Sequence, residues 1–281
     1  MFSDSYVIFP VMLIDEKSLN HWIENFYGYG SWQAKFWFVG YEEGGGNLPE
    51  EVAEKLNYFQ EFHASNAGPT LCDLREVYRH VVFRDEGPKA GAFRNRYEYR
   101  FESNAVQNTI WKNLTAFVHG YEGKPIPDPL TYQKVNFADS STRKEALIQL
   151  YPLPSPHNHA WYYSWLEAPG LPFLKSRKLY EDHLYAKRIA AILSQIREYK
   201  PEVVLLYGMS NINALKDSVH GFFPGTVFRM VKQIKLQVPQ HHRATLGNTT
   251  FILTTQLPAL RHNRIETGFD WELFGRQIAQ Q

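Results

Sequence analysis

The segment Lys35-Phe-Trp-Phe-Val-Gly40-Tyr-Glu-Glu-Gly-Gly-Gly46 constrains this chain more than any other. A short aromatic and β-branched run stops at a glycine, the pattern of a buried strand ending in a turn. Two adjacent carboxylates and three glycines follow. Glycine tolerates positive φ and lets backbone approach a ligand closely. Glu42 and Glu43 therefore fall just beyond the carboxyl end of a strand, where open α/β sheets bind their ligands. The same residues also read as a tight turn carrying two solvated carboxylates.

Three further apolar runs share the pattern, at residues 147–150, 203–207 and 250–254. Between them the apolar spacing predicts amphipathic helices near 14–26 (Leu19, Trp22, Ile23, Phe26), 49–62, 107–118, 179–199, 211–219 and 270–279. Residues 69–82 read as a helix or a mixed segment, and 226–243 as a basic hairpin. The run at 147–150 breaks into Tyr151-Pro-Leu-Pro-Ser-Pro156, whose prolines forbid a continuing central strand and predict a rigid loop. Strands separated by helices predict an α/β fold, three layers α/β/α around a central four-stranded, mainly parallel sheet. No linker or repeat divides the chain, so one domain over 1–281 is expected, with a polar, basic insertion at about 84–102.

The net charge of +1 carries no global nucleic-acid signature, so any basic contact surface must be local. Candidate clusters are Arg94, Arg96 and Arg100 interleaved with Tyr97, Tyr99 and Phe101; Lys175, Arg177 and Lys178; His241, His242 and Arg243; and Arg261, His262 and Arg264. Each also reads as a solvated surface. Aromatics make up 15% of residues, which serves a bulky core or the stacking of flat ligands. The single cysteine, Cys72, excludes an intrachain disulfide and a cysteine-ligated cluster. No run approaches the ~20 apolar residues of a membrane span, and no secretory signal pattern opens the chain. A soluble cytoplasmic protein with no membrane partner is the expectation. His157 and His159 form a His-x-His pair without an evident third ligand, so no metal and no cofactor are expected.

In their order along the chain these segments resemble a divergent member of the uracil-DNA glycosylase superfamily. Phe38-Val-Gly40-Tyr-Glu-Glu-Gly44 resembles the family's first strand and its motif, with Glu42 on the position often held by Asp or Asn and Glu43 on that of a proline. Leu147-Ile-Gln-Leu-Tyr-Pro-Leu-Pro154 resembles the strand carrying a base-reading Asn, with Gln149 at that place. Pro201-Glu-Val-Val-Leu-Leu-Tyr-Gly208 resembles the third strand. Phe251-Ile-Leu-Thr-Thr-Gln-Leu-Pro-Ala259 resembles the last strand and its His-Pro-Ser loop, with Leu257 on the histidine and Ala259 on the serine.

The resemblance implies hydrolysis of the N-glycosidic bond of uracil or another damaged base in DNA, single-stranded or mismatched. Glu42, with Glu43 as the alternative, would orient water and stabilise an oxocarbenium-like sugar. Gln149 and Asn263 would read the base edge, and Tyr41 would stack on it. His262 or Asn263 would donate to the departing base, and Arg261 and Arg264 would hold phosphates. The missing loop histidine equally suits a non-catalytic nucleic-acid or base binder on the same fold, docked through the basic residues at 84–100. A third reading, an unrelated nucleotide or sugar enzyme with a phosphate on Gly44–Gly46, lacks the known glycine spacings.

Overall fold

The structure is a computed structural model that describes residues 14–47, 49–65, 68–83, 91–157, 159–232, 237–259 and 268–280. In chain order the elements are α1 (Glu16–Asn25), β1 (Phe26–Tyr29), β2 (Phe36–Gly40), α2 (Pro49–Phe62), β3 (Thr70–Cys72), α3 (Leu74–Arg79), α4 (Arg96–Phe101), α5 (Thr109–Glu122) and α6 (Pro129–Val135). They continue with β4 (Glu145–Gln149), α7 (Arg177–Tyr199), β5 (Val203–Leu206), α8 (Ile212–Phe222), β6 (Arg229–Val231), β7 (His241–Leu246), β8 (Thr249–Leu253) and α9 (Trp271–Ala279).

The four apolar runs form adjacent parallel strands in the order β4-β2-β5-β8. All four are buried throughout, which is why they read as continuous apolar runs rather than alternating ones. The expectation of a four-stranded sheet is corrected: β3-β1 extends one edge and β7-β6 the other, giving eight strands among the described residues. β1 runs antiparallel to β4 but parallel to β3, while β7 and β6 continue from β8 by antiparallel pairing.

The additional strands escaped notice for physical reasons. Phe26 continues the helical spacing of Leu19, Trp22 and Ile23, yet the chain leaves α1 at Asn25 and Phe26 opens β1. Gly28 makes this possible: at φ 130° it lies against β4, where a Cβ would sit 2.1 Å from the Leu147 carbonyl oxygen. The expected hairpin at 226–243 is present as β6 and the start of β7, though residues 233–236 lie outside the described set. In the insertion expected at 84–102, residues 84–90 lie outside the described set and residues 91–95 lead into α4. There Arg94 pairs with Glu98, and Arg100 donates to the Val106 carbonyl at 2.7 Å.

Connections that run in opposite directions along a parallel sheet place their helices on opposite faces. Phe36 and Phe38 of β2 meet Tyr121 and Phe117 of α5, and Phe117 meets Phe274 of α9. On the other face Phe251 of β8 meets Phe223 just after α8, and Tyr185 of α7 bonds Ser218 of α8. Arg188 fastens α7 to the sheet. It is fully buried, lies 3.6 Å over Tyr27, and donates to the carbonyls of Gln149, Leu150, Ile23 and Phe26. Those four carbonyls sit at strand and helix ends, so one planar fork of donors satisfies acceptors that no ladder reaches.

Among the described residues no helix is long and apolar enough to cross a membrane.

Candidate active site

The chain leaves β2 for β4 on one side and crosses from β4 to β5 on the other, so strand order reverses between β2 and β5. Such a reversal opens a crevice at the carboxyl ends of the strands. A cavity of about 760 Å³ lies there, lined by Tyr41, Glu42 and Gly44 after β2, Tyr207 and Gly208 after β5, and Leu257 after β8. Ser155, His157, His159, Arg177 and Glu181 complete one wall.

The β2 loop is held beside the proline-rich loop by continued backbone pairing. Leu150 N donates to Gly40 O, Tyr151 N to Tyr41 O and Ser155 N to Glu43 O, each at 2.9 Å. Prolines cannot donate, so side chains fix this loop through its other groups. Trp22 Nε1 donates to Pro152 O, Tyr163 Oη to Pro154 O, and Leu153 N to Tyr180 Oη. The rigid loop expected from the prolines is thus buried over residues 151–155 and forms part of the site wall.

The paired carboxylates part company. Glu42 lines the cavity with its side chain 8% exposed, and its Oε2 accepts from Arg177 Nη1 at 2.7 Å. Burial pushes the Glu42 carboxyl above its ordinary range, Arg177 pulls it back, and the neighbouring Glu181 adds to the rise. Glu43 is instead built into the core. It accepts from Tyr29 Oη at 2.9 Å, Tyr78 Oη at 2.7 Å and Lys55 Nζ at 3.4 Å. Burial would raise Glu43, but Lys55 and the two phenols outweigh it and hold the carboxylate ionised, below its ordinary range. Lys55, 2% exposed, is itself lowered by burial against the support of Glu43.

The glycine run is explained by close approach. Gly45 and Gly46 have φ of +127° and +69°, and a Cβ on Gly46 would meet the Pro154 carbonyl at 2.9 Å. Gly40 clears the cavity floor: a Cβ there would lie 2.8 Å from Tyr207 Oη and 3.4 Å from Gln149 Oε1. Gln149 is buried under that floor, and its Oε1 has no hydrogen-bond partner among the described residues. Tyr41 stands on the rim with its ring 4.8 Å from that of Tyr151. His157 and His159 both face the cavity, their rings 6.2 Å apart, and among the described residues no group of three or more His, Cys, Asp or Glu could hold a metal.

Glu42, Tyr41 and the first residue of the β8 loop motif, Leu257, therefore share one cavity, with Gln149 beneath it. Arg261, His262, Asn263 and Arg264 lie outside the described residues. No protein-family model matches the chain, and no curated protein matches its sequence.

Pattern reading named Arg177 only within a basic cluster, without its carboxylate partner, and passed over Tyr207. Arg177 binds Glu42, Ser155 Oγ at 2.6 Å and the Ala160 carbonyl at 3.0 Å, joining the β2 loop to the proline-rich loop. It occupies the first position of α7 behind the Ser176 cap, where a cation opposes the helix dipole. That unfavourable placement was the available signal of a carboxylate partner. Chemically, the cavity offers an ionisable carboxylate on a fixed cation, the phenols of Tyr41 and Tyr207, and an unpaired carboxamide oxygen behind the floor. Such a set can orient a water molecule and bind a polar planar group.

Proposed function

We propose that the chain is a hydrolase of the N-glycosidic bond on an α/β fold, removing uracil or another damaged base from DNA, as the resemblance of its motifs to the uracil-DNA glycosylases implies. One observation carries this reading: Glu42, at the family-motif position after the first parallel strand, faces a cavity that the loop after the last strand also reaches through Leu257. Gln149, on the base-reading position of the second strand, adds a buried acceptor without a partner just below. A cavity of this volume lies in the range that encloses a nucleoside-sized ligand.

In this mechanism ionised Glu42 accepts a hydrogen bond from water and aims its oxygen at the anomeric carbon. Its negative charge stabilises the sugar cation as the carbon–nitrogen bond breaks and its electrons leave with the base; the water oxygen then bonds the anomeric carbon and its proton passes to Glu42 and on to the base anion. Arg177 keeps Glu42 ionised and oriented. In this reading Tyr207 Oη, in the cavity wall, binds a base polar group, with the Gln149 carboxamide behind the floor.

A second reading, a non-catalytic binder of bases or nucleic acid, is favoured by Leu257, which puts an exposed apolar side chain where the family's loop histidine stands. Incubation with single-stranded and mismatched oligonucleotides carrying uracil, hypoxanthine or xanthine separates the two. Hydrolysis leaves abasic sites that alkali cleaves. Saturable, salt-dependent binding without abasic sites supports the binder.

A further inference from the structure

Trp165 stands 77% exposed, more than any other large apolar side chain among the described residues. Its ring stacks on that of Tyr162, with centroids 5.2 Å and planes 29° apart, in the single-turn 3-10 helix Tyr162–Trp165. Neighbouring groups tie this turn down. Tyr163 is buried and its Oη donates to the Pro154 carbonyl at 2.9 Å, while Ser164 Oγ donates to the Trp161 carbonyl and Leu166 N to Tyr163 O. Trp161 Nε1 donates to Leu174 O at 2.7 Å and so joins the turn to a second one, Pro172–Lys175. The Trp165 indole itself lies mostly in water, so the fold fixes the ring without burying it. The turn also begins at the cavity wall. Tyr162 is three residues beyond His159, a span of at most about 11 Å. Arg177 and Ser155, which both line the cavity, each hold the intervening Ala160 carbonyl at 3.0 Å. Ser164, Glu167, Pro169 and Gly170 along the same segment are exposed, and so is Lys175, so the pair is a small flat surface and not part of a broad apolar face.

We propose that Tyr162 and Trp165 form a stacking step for an unpaired base that neighbours the nucleotide in the cavity, which makes single-stranded DNA the preferred partner. The inference rests on the N-glycosidic reading and names the form of its DNA substrate. Base stacking needs an open aromatic face and tolerates any base, because every base has a π-face. A ring already fixed by its surroundings loses little freedom on binding. In a duplex the bases cover one another's faces, so the step serves only an unpaired strand. A stable protein partner needs a far wider surface than one stacked pair. Lys175 and Glu167 offset each other beside the step, and Lys178 is paired with Asp182 at 2.7 Å. Stacking therefore carries the binding at this place, and phosphate attraction adds little.

Anisotropy titrations of the full chain with labelled oligo-dT, its duplex with oligo-dA, and an abasic strand of the same length test the step, with W165A and W165F beside the wild type. Oligo-dT carries no uracil and is not consumed. Wild type should bind oligo-dT more tightly than the duplex or the abasic strand. W165A should bind oligo-dT about tenfold or more weakly and lose its preference over the abasic strand, with the slope against salt unchanged, and W165F should recover most of the affinity. Equal affinity of W165A and wild type for oligo-dT, a wild-type preference for the duplex, or no binding of oligo-dT overturns the proposal. Self-association of the wild type that W165A abolishes assigns the pair to a second copy of the chain and overturns it as well. Release of uracil from a single-stranded uracil oligonucleotide is read separately, and W165A should raise KM while leaving the single-turnover rate at saturation unchanged. Trp165-dependent strand binding without release refutes hydrolysis and keeps the step, whereas release with the same KM in W165A refutes the step and keeps hydrolysis.

Discussion

Arg177 donates from Nη1 to Glu42 Oε2 across 2.7 Å, with the two side chains 15% and 8% exposed. This ion pair joins the first turn of α7 to the loop after β2, and it decides how Glu42 titrates. Burial raises the Glu42 carboxyl and Arg177 opposes that rise. Glycosidic hydrolysis that uses ionised Glu42 should therefore fall as pH drops through a value above the ordinary carboxylate range. In Arg177→Met the opposing charge is gone, so the acid limb should move to higher pH and the neutral-pH rate should fall about tenfold or more. Arg177→Lys, which keeps charge but loses the fork, should recover part of the rate. A pH–rate profile of the three proteins checks this.

Glu43 should answer to stability. Its carboxylate is the ion-pair partner of Lys55, which is 2% exposed. Glu43→Gln strands that ammonium and should cost about 3–5 kcal/mol in urea unfolding. Adding Lys55→Met should return much of the loss, because the unpaired charge goes with it. Glu42→Gln, at the wall of an open cavity, should cost far less.

Those two residues also show what pattern reading can and cannot reach. Residues 36–40 were legible as a strand because their burial on both faces leaves no polar alternation, and the same holds for β4, β5 and β8. Glu42 and Glu43 are adjacent and chemically alike, so sequence could not assign one to the cavity and one to the core. Tyr29, Lys55 and Tyr78, which claim Glu43, come from three separate elements. β1 was concealed because Phe26 fits the helical spacing before it. The β7–β8 pairing had a local signal in Leu246-Gly247-Asn248-Thr249, a two-residue hairpin turn with Gly247 at φ +56°.

Gly40 should be intolerant of a side chain for a reason that a second substitution can remove. Gly40→Ala places Cβ 2.8 Å from Tyr207 Oη and should cost about 1–3 kcal/mol or displace the phenol into the cavity. Tyr207→Phe removes that oxygen, leaving the nearest contact at 3.1 Å, and should recover most of the loss. A double-mutant cycle on the thermal midpoint measures the coupling.

At the opposite end of β4, Glu145 is fully buried, with Tyr132 Oη at 2.5 Å from one oxygen and no hydrogen-bond partner for the other among the described residues. Burial raises its carboxyl to about 7. The folded state then holds a proton that the unfolded chain has already released, so this group's stabilisation is complete below the ordinary carboxylate range and is lost as pH rises through about 7. The swing is on the order of 3 kcal/mol. Glu145→Gln should flatten the decline in unfolding free energy between pH 5 and 8, to about the same extent.

Single-turnover release of free uracil from a single-stranded uracil oligonucleotide, by wild type, Glu42→Gln and Glu43→Gln under conditions where all three are folded, weighs the assignment of catalysis to Glu42. Release by wild type, a fall of about a hundredfold or more in Glu42→Gln, and a far smaller fall in Glu43→Gln is the predicted result. Undiminished release by Glu42→Gln, or no release by the folded wild type from uracil, hypoxanthine or xanthine substrates, would contradict it.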